Sequence, residues 1–371
     1  MKRTMLYALS CILTFAVGYG MYERYSHTHA TESVQLPKPT GSFDIGTITY
    51  HLIDTQRHER HSQNPNDYRE LMLQVWYPAR VTAPRQAHDE EKTLYIPSVE
   101  LESMKKALEE QAHVPANKLG YLDTLRTHSI DHAPILAGNY PVVIFSPGGG
   151  ATVNLYTSLL EELASQGYIV VGISYPYITN PVIFPDGRIL AAPDQPTDQA
   201  ERRKGREEEC RVWIKDIQFV VDQLHVMNAD EKSILHNKLD LTHIGAFGHS
   251  FGGSASVGVC QVDTRFKAGA DIDGKLYDLN QEHPLSTPFM FIVAPHSDET
   301  LQPIKDLIKK TTTPTQYNQI PKADHGSFTD LYVIAQWEEP PQLDPLEGIQ
   351  ITRKYIVDFF DTYLKKQLPP L

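Results

Sequence analysis

The stretch HIGAFGHSFGGSASVG, residues 243–258, sets an apolar run against a serine hemmed in by glycines and other small residues. Residues 243–247 read as a short buried strand, and residues 254–259 as the opening of a small-residue helix. Between them Gly248-His249-Ser250-Phe251-Gly252 fits G-x-S-x-G, a strand-to-helix turn that holds a serine hydroxyl in a strained, exposed pose. Glycine is required on both sides because a Cβ there would collide with the neighbouring strand or helix. The competing reading is a glycine-rich turn with an ordinary serine. The strand before it and the helix after it favour a nucleophile.

Outward from this turn, apolar runs recur at 46–53, 69–78, 140–146, 168–176, 266–272 and 288–294. Several are dominated by Val and Ile, as in strands covered on both faces. Helical patterns lie between the later runs, at 155–166 and 208–227. In the second, Val212, Ile214, Ile217, Val220, Val221 and Leu224 form an apolar stripe. Residues 349–366 read as a closing amphipathic helix. Strands alternating with helices predict an α/β fold, a mostly parallel central sheet flanked by helices. Two intervals break the alternation. Residues 98–137 hold a helical piece and then an irregular stretch, and residues 177–207 are dense in Pro and Asp. Both are expected to be lid-like insertions over the strand ends, the alternative being surface packing alone.

Three regions are expected along the 371 residues: 1–30 as a signal peptide or membrane anchor, 31–44 as a polar linker, and 45–371 as one catalytic domain. Lys2 and Arg3 precede an uncharged apolar run at 5–22, the layout of an export signal. The run is also long enough to span a bilayer if uncut. The expected location is therefore outside the cytoplasm: secreted, periplasmic or tethered to a membrane. A net charge of -12 disfavours a nucleic-acid partner, and the one basic cluster, Arg202-Arg203-Lys204 with Arg206, runs straight into Glu207-Glu208-Glu209. It reads as a solvated helix start. Beyond the N-terminal run only Cys210 and Cys260 remain, which is no disulfide framework; two separately buried thiols are expected over one bridge. Sixteen histidines invite a metal, yet RHERH at 57–61 lacks the spacing of H-E-x-x-H, and no metal or cofactor is expected.

A serine becomes nucleophilic through a base that is itself oriented by an acid, and after this turn the order is Ser, acid, His. His325, in IPKADHGSFTDL, sits on a loop after a strand, where a histidine can swing toward Ser250. His236 and His243 precede the serine. His283 follows it too closely, and His296 stands where an acid is usual. His249, beside the nucleophile, is expected to point away from it. For the acid, Asp273 ends the strand KAGADI and Asp298 follows the next strand. Asp271 is a third choice, on the same face as Asp273 by the period of two. Spacing does not decide between Asp273 and Asp298. The developing oxyanion needs two backbone N–H groups. Phe251 supplies one, and the glycine run 148–150 the other, with Gly149 the chosen donor. That run lacks the Lys and Ser/Thr of a phosphate loop.

With these residues placed, LQVWYPA, THSIDHAPI, VVIFSPGGG, GHSFGG, AGADIDG and HGSFTDL occur in the order found in the plasma-type (isoform II) platelet-activating factor acetylhydrolases and their bacterial relatives, which the chain resembles over residues 69–331. The resemblance implies the α/β-hydrolase fold and a cofactor-independent serine esterase. It also implies Ser250 as nucleophile, His325 as base, Phe251 and Gly149 as oxyanion donors, and Asp273 as acid, through the pair Asp273-Gly274. The chain departs from that pattern at Pro147, where the family often has histidine, and the two insertions show no match. The implied substrates are small lipid-like esters, such as phospholipids with a short or oxidised sn-2 acyl chain. The charge disfavours attraction to anionic membranes, so contact with a lipid surface would have to come from apolar residues on the insertions. Two alternatives stand beside this one. A hydrolase of polyesters or lactones would favour Asp298 as acid, and a binding protein of the same fold would be non-catalytic.

Overall fold

The innermost strands of the central sheet bury both faces, which is why their sequences are continuously apolar rather than alternating. In β5 (Tyr140–Ser146), Val142 and Ile144 join one core while Val143 and Phe145 join the other. In β6 (Ile169–Ser174), Ile169, Val171 and Ile173 face the first core and Val170 the second. The structure, a computed structural model, describes residues 34–80, 91–112, 114–179, 181–190, 198–335 and 341–365. The apolar run at 5–22 and its two readings lie outside the described residues. Among the described residues no helix is long and apolar enough to cross a membrane.

The remaining strands are β1 (Asp44–His58), β2 (Tyr68–Ala79), β3 (Lys92–Leu94), β4 (Arg126–Asp131), β7 (Val182–Ile183), β8 (Ile189–Leu190), β9 (Leu239–His249), β10 (Phe266–Ile272), β11 (Phe289–Val293) and β12 (Thr315–Gln319). Of the twelve strands among the described residues, ten form one sheet in the order β12-β11-β10-β9-β5-β6-β2-β1-β4-β3, while β7 and β8 pair separately. From β6 to β12 all neighbours are parallel; β2 joins β6 antiparallel, and β1 joins β2 in the same sense. The helices are α1 (Leu101–Ala112), α2 (Thr157–Ser165), α3 (Gln199–Ala229), α4 (Phe251–Val262), α5 (Asp298–Lys310), α6 (Leu331–Ala335) and α7 (Pro345–Leu364). α3, α4 and α5 cover the first core, α2 and α7 the second.

Several expectations need correction. The stretch 126–131, expected to be irregular, is strand β4, running parallel to β1. Its buried positions, Thr127 and Ser129, are polar and Ile130 is its only apolar residue, so no apolar period marks it. The helix whose apolar stripe was read over 208–227 begins at Gln199 and takes in the basic cluster read as a solvated helix start; Asp198 caps it by accepting from the Glu201 N–H at 2.8 Å. The linker expected at 31–44 is packed from Leu36 onward. Arg353 donates to the carbonyls of Pro37 and Lys38, and Glu162 accepts from the Thr40 amide. The chain accordingly divides at Gln35 rather than at residue 44, into units Met1–Gln35 and Leu36–Leu371. Residues 57–61 form an ionic brace: Glu59 holds the buried Arg69, which also grips Asp216 of α3, and His61 meets Glu209.

Candidate active site

The turn after β9 is tight because two glycines leave no room for anything larger. A Cβ on Gly248 would land on the backbone of Gly252, and one on Gly252 would land on the carbonyl of Ser146 in β5. That contact lets α4 start directly against the sheet and forces Ser250 into φ 55°, ψ -118°, a conformation L-residues avoid. The Ser250 amide donates to the Ile272 carbonyl at 2.8 Å, anchoring the turn to β10. Just past the end of that strand Asp273 also takes a positive φ, 55°, and its amide donates to Ile292 of β11. Two strained residues thus stand side by side at the ends of adjacent parallel strands.

His325 joins them. Its Nε2 lies 2.9 Å from Ser250 Oγ and its Nδ1 lies 2.6 Å from Asp273 Oδ2. Burial pushes the Asp273 carboxyl up. The hydrogen bonds from His325 and from the Ala294 amide outweigh it and hold the group at about 2. An ionised carboxylate only accepts, so the proton between them sits on His325 Nδ1, and Nε2 is free to take the serine proton. The loop was expected to be mobile; it is pinned instead. Asp324 accepts from the Gly326 and Ser327 amides and from the Tyr332 hydroxyl. Buried Asp330 donates its amide to Leu155 and accepts from that of Ser158.

The other candidates fall elsewhere. Asp298 opens α5 with its side chain 94% exposed and paired with Lys305. Asp271, expected on the same face as Asp273, is buried beneath the turn, where its Oδ1 accepts from the Gly274 amide. The positive φ of Asp273 breaks the period of two between them. Burial raises Asp271 well above the usual carboxylate range. His243 pairs with Asp240, and His283 is exposed.

Two histidines set aside in the sequence belong to the site. His296 donates from Nε2 to Asp273 Oδ1 at 2.7 Å, giving that carboxylate a third donor. His249 does point away from Ser250, but its ring lies 4.4 Å from that of His325 and its Nε2 is 3.0 Å from the His325 carbonyl. Its Nδ1 meets the Tyr156 hydroxyl at 2.8 Å. No sequence spacing signals either contact, since each depends on which loop crosses which strand end.

Beside Ser250, Gly149 stands against Phe251; a Cβ on the glycine would be 3.7 Å from the Phe251 Cβ. The flanking amides are occupied, Gly148 by Tyr156 Oη at 3.1 Å and Gly150 by the Ile178 carbonyl at 2.8 Å. Among the described residues nothing accepts from the Gly149 amide. Two cavities open from the serine. One, of about 250 Å³, runs past His325 and His296 to Val293, Leu301 and Ile304. The other, of about 260 Å³, is polar and reaches Gly149, Arg206, Lys275 and Tyr277. Among the described residues, none of 98–137 lines either cavity, and of 177–207 only Arg206 does. Cys210 and Cys260 are separate buried thiols.

A model of the family described as platelet-activating factor acetylhydrolase, isoform II, matches residues 28–175 and 193–368. The chain belongs to this family. Among curated relatives, a probable 1-alkyl-2-acetylglycerophosphocholine esterase of Arthroderma benhamiae is 27% identical over 66% of this chain and 60% of its own length. A platelet-activating factor acetylhydrolase of Gallus gallus is 23% identical over 61% of this chain and 62% of its own length. The chain thus matches about six tenths of each of these family members. A solved structure titled ferulic acid esterase from Streptomyces cinnamoneus superposes with a TM-score of 0.73 and 26% identity, covering 91% of this chain and 95% of that one. The fold is that of the α/β-hydrolases.

Proposed function

We propose that the protein is a serine-dependent carboxylic ester hydrolase acting on small lipid-like esters, phospholipids with a short or oxidised sn-2 acyl chain foremost. The observation that carries the reading is the unbroken line Ser250 Oγ, His325, Asp273, with both hydrogen bonds in place. Ser250 attacks the ester carbonyl carbon as its proton passes to His325 Nε2. The carbonyl π electrons move onto oxygen, which the N–H groups of Phe251 and Gly149 receive. Collapse of the tetrahedral centre breaks the bond to the alcohol oxygen, which leaves with the proton from His325. Water then repeats the sequence on the acyl-serine and releases the acid. Asp273 keeps its charge throughout and stabilises the imidazolium formed in each half. The names of the relatives support a phospholipid ester, and the N-terminal apolar run supports export or tethering.

A second reading, a non-lipid ester, draws on the likeness to the ferulic acid esterase along nearly its whole length. It does not need Asp298, which the fold leaves exposed on α5. A panel of p-nitrophenyl esters, hydroxycinnamate esters and choline phospholipids with graded sn-2 chains separates the two. Turnover and fluorophosphonate labelling are both expected in the wild type and lost in Ser250→Ala. Absence of both in the folded wild type would leave only a binding protein of this fold.

A further inference from the structure

Two cations at the polar cavity have no ion-pair partner among the described residues. Arg206 of α3 is half-buried, its guanidinium 5.3 Å from the centroid of the Phe251 ring and pressed against Gly149. Lys275, two residues beyond Asp273, is exposed; its carbonyl accepts from Ser254 Oγ at 2.7 Å, and the residue lines both cavities. Among the described residues neither side chain makes an ion pair or a hydrogen bond. The contrast with their neighbours is direct. Arg203 binds both Glu207 and Asp278, and Arg211 binds Glu282. The carboxylates on this face are committed to the arginines on either side of Arg206.

An unpaired Arg and Lys converging on a concave wall beside a nucleophile are an electrostatic deficit that a ligand can fill, and the guanidinium fork suits a carboxylate or phosphate. We propose that Arg206 and Lys275 form an anion subsite, and that the ester accepted by Ser250 carries an anionic group, carboxylate or phosphate, close to its scissile carbonyl. The proposal rests on the hydrolase reading above. The apolar cavity beyond His325 takes the uncharged portion, so the two walls divide the substrate by polarity.

The test compares matched esters on wild type, Arg206→Gln, Lys275→Gln and the double variant. Mono-p-nitrophenyl glutarate against p-nitrophenyl valerate places the charge on the acyl side. A 1-alkyl-2-acetylglycerophosphocholine against the corresponding 1-alkyl-2-acetylglycerol places it on the alcohol side. In one pair or the other, the ratio of kcat/KM for charged over neutral ester is expected to fall about tenfold in the double variant, and to fall with salt in the wild type. A ratio unmoved in both pairs overturns the subsite, as does an equal loss on charged and neutral esters. Calorimetric binding of monomethyl glutarate and glycerol phosphate to Ser250→Ala, with and without the two substitutions, separates this from the hydrolase reading. Charge-dependent binding without ester cleavage keeps the subsite and discards the hydrolase, and cleavage without charge preference does the reverse.

Discussion

The carbonyl of His325 accepts a hydrogen bond from His249 Nε2 at 3.0 Å, so the residue before Ser250 holds the loop that carries His325. A carbonyl only accepts, which fixes the proton on Nε2. Burial, with the nearby His325 charge adding to it, pushes His249 down to about 3 and keeps the ring neutral. Its Nδ1 therefore accepts the Tyr156 proton, and the Tyr156 oxygen in turn accepts the Gly148 amide. One buried chain of hydrogen bonds joins the glycine loop, the turn and the histidine loop.

Replacing Tyr156 by Phe breaks this chain in the middle, leaving a buried amide and a buried imidazole nitrogen unpaired. Unfolding in urea is expected to show a loss of about 1–3 kcal/mol. Because Gly148 adjoins Gly149, the proposed oxyanion donor, kcat should fall more than KM rises. A variant as stable and as active as the wild type would show that the network does no positioning.

Acid should weaken the fold through His249. With its folded pKa near 3 against about 6.5 unfolded, the unfolded chain alone takes up a proton between these values. Stability from this group is complete above pH 6.5 and declines as pH falls toward 3, by about 1.4 kcal/mol per unit at most. His249→Gln removes that term while leaving every other titrating group in place. Its deficit in Tm relative to the wild type should therefore narrow between pH 7 and pH 4.5; a constant deficit would refute the assignment.

Asp273→Asn removes the charge that fixes the His325 tautomer, and kcat should drop by about 10³–10⁴ with little change in fold. Asp298→Asn touches only an exposed pair with Lys305 and should stay within about twofold of the wild type. The opposite ranking would transfer the acid role to Asp298.

Gly252→Ala puts a methyl group onto the Ser146 carbonyl, a rigid strand atom with no freedom to retreat. A loss of about 2–3 kcal/mol is expected from denaturant unfolding, with turnover falling in parallel as the turn is pushed off β5.

Cys210 and Cys260 are fully buried, and burial pushes both thiols far above their ordinary range. A thiol reagent should modify neither in the native enzyme and both in denaturant, without loss of activity from the native incubation.

Ser250, its glycines and the alternation of apolar strands with helices were legible in the chain itself, because each is a local rule: period, turn chemistry and the space a Cβ occupies. His325 was legible as a loop residue after a strand, and the buried thiols from lying in helical stretches. The strand β4 was not, because its buried positions Thr127 and Ser129 are polar and Ile130 is its only apolar residue.

Which of Asp273 and Asp298 meets His325 was decided by the tertiary structure, as were the contacts of His249 and His296. All of them stand at or beyond strand ends, and only the lateral order β9, β10, β11 and the backbone twist at Asp273 decide which carboxylate meets which ring. Local residues dictate that a serine is presented. The partners it meets follow from which loops the sheet brings together, and contacts across such distances in the chain leave no periodic trace in it.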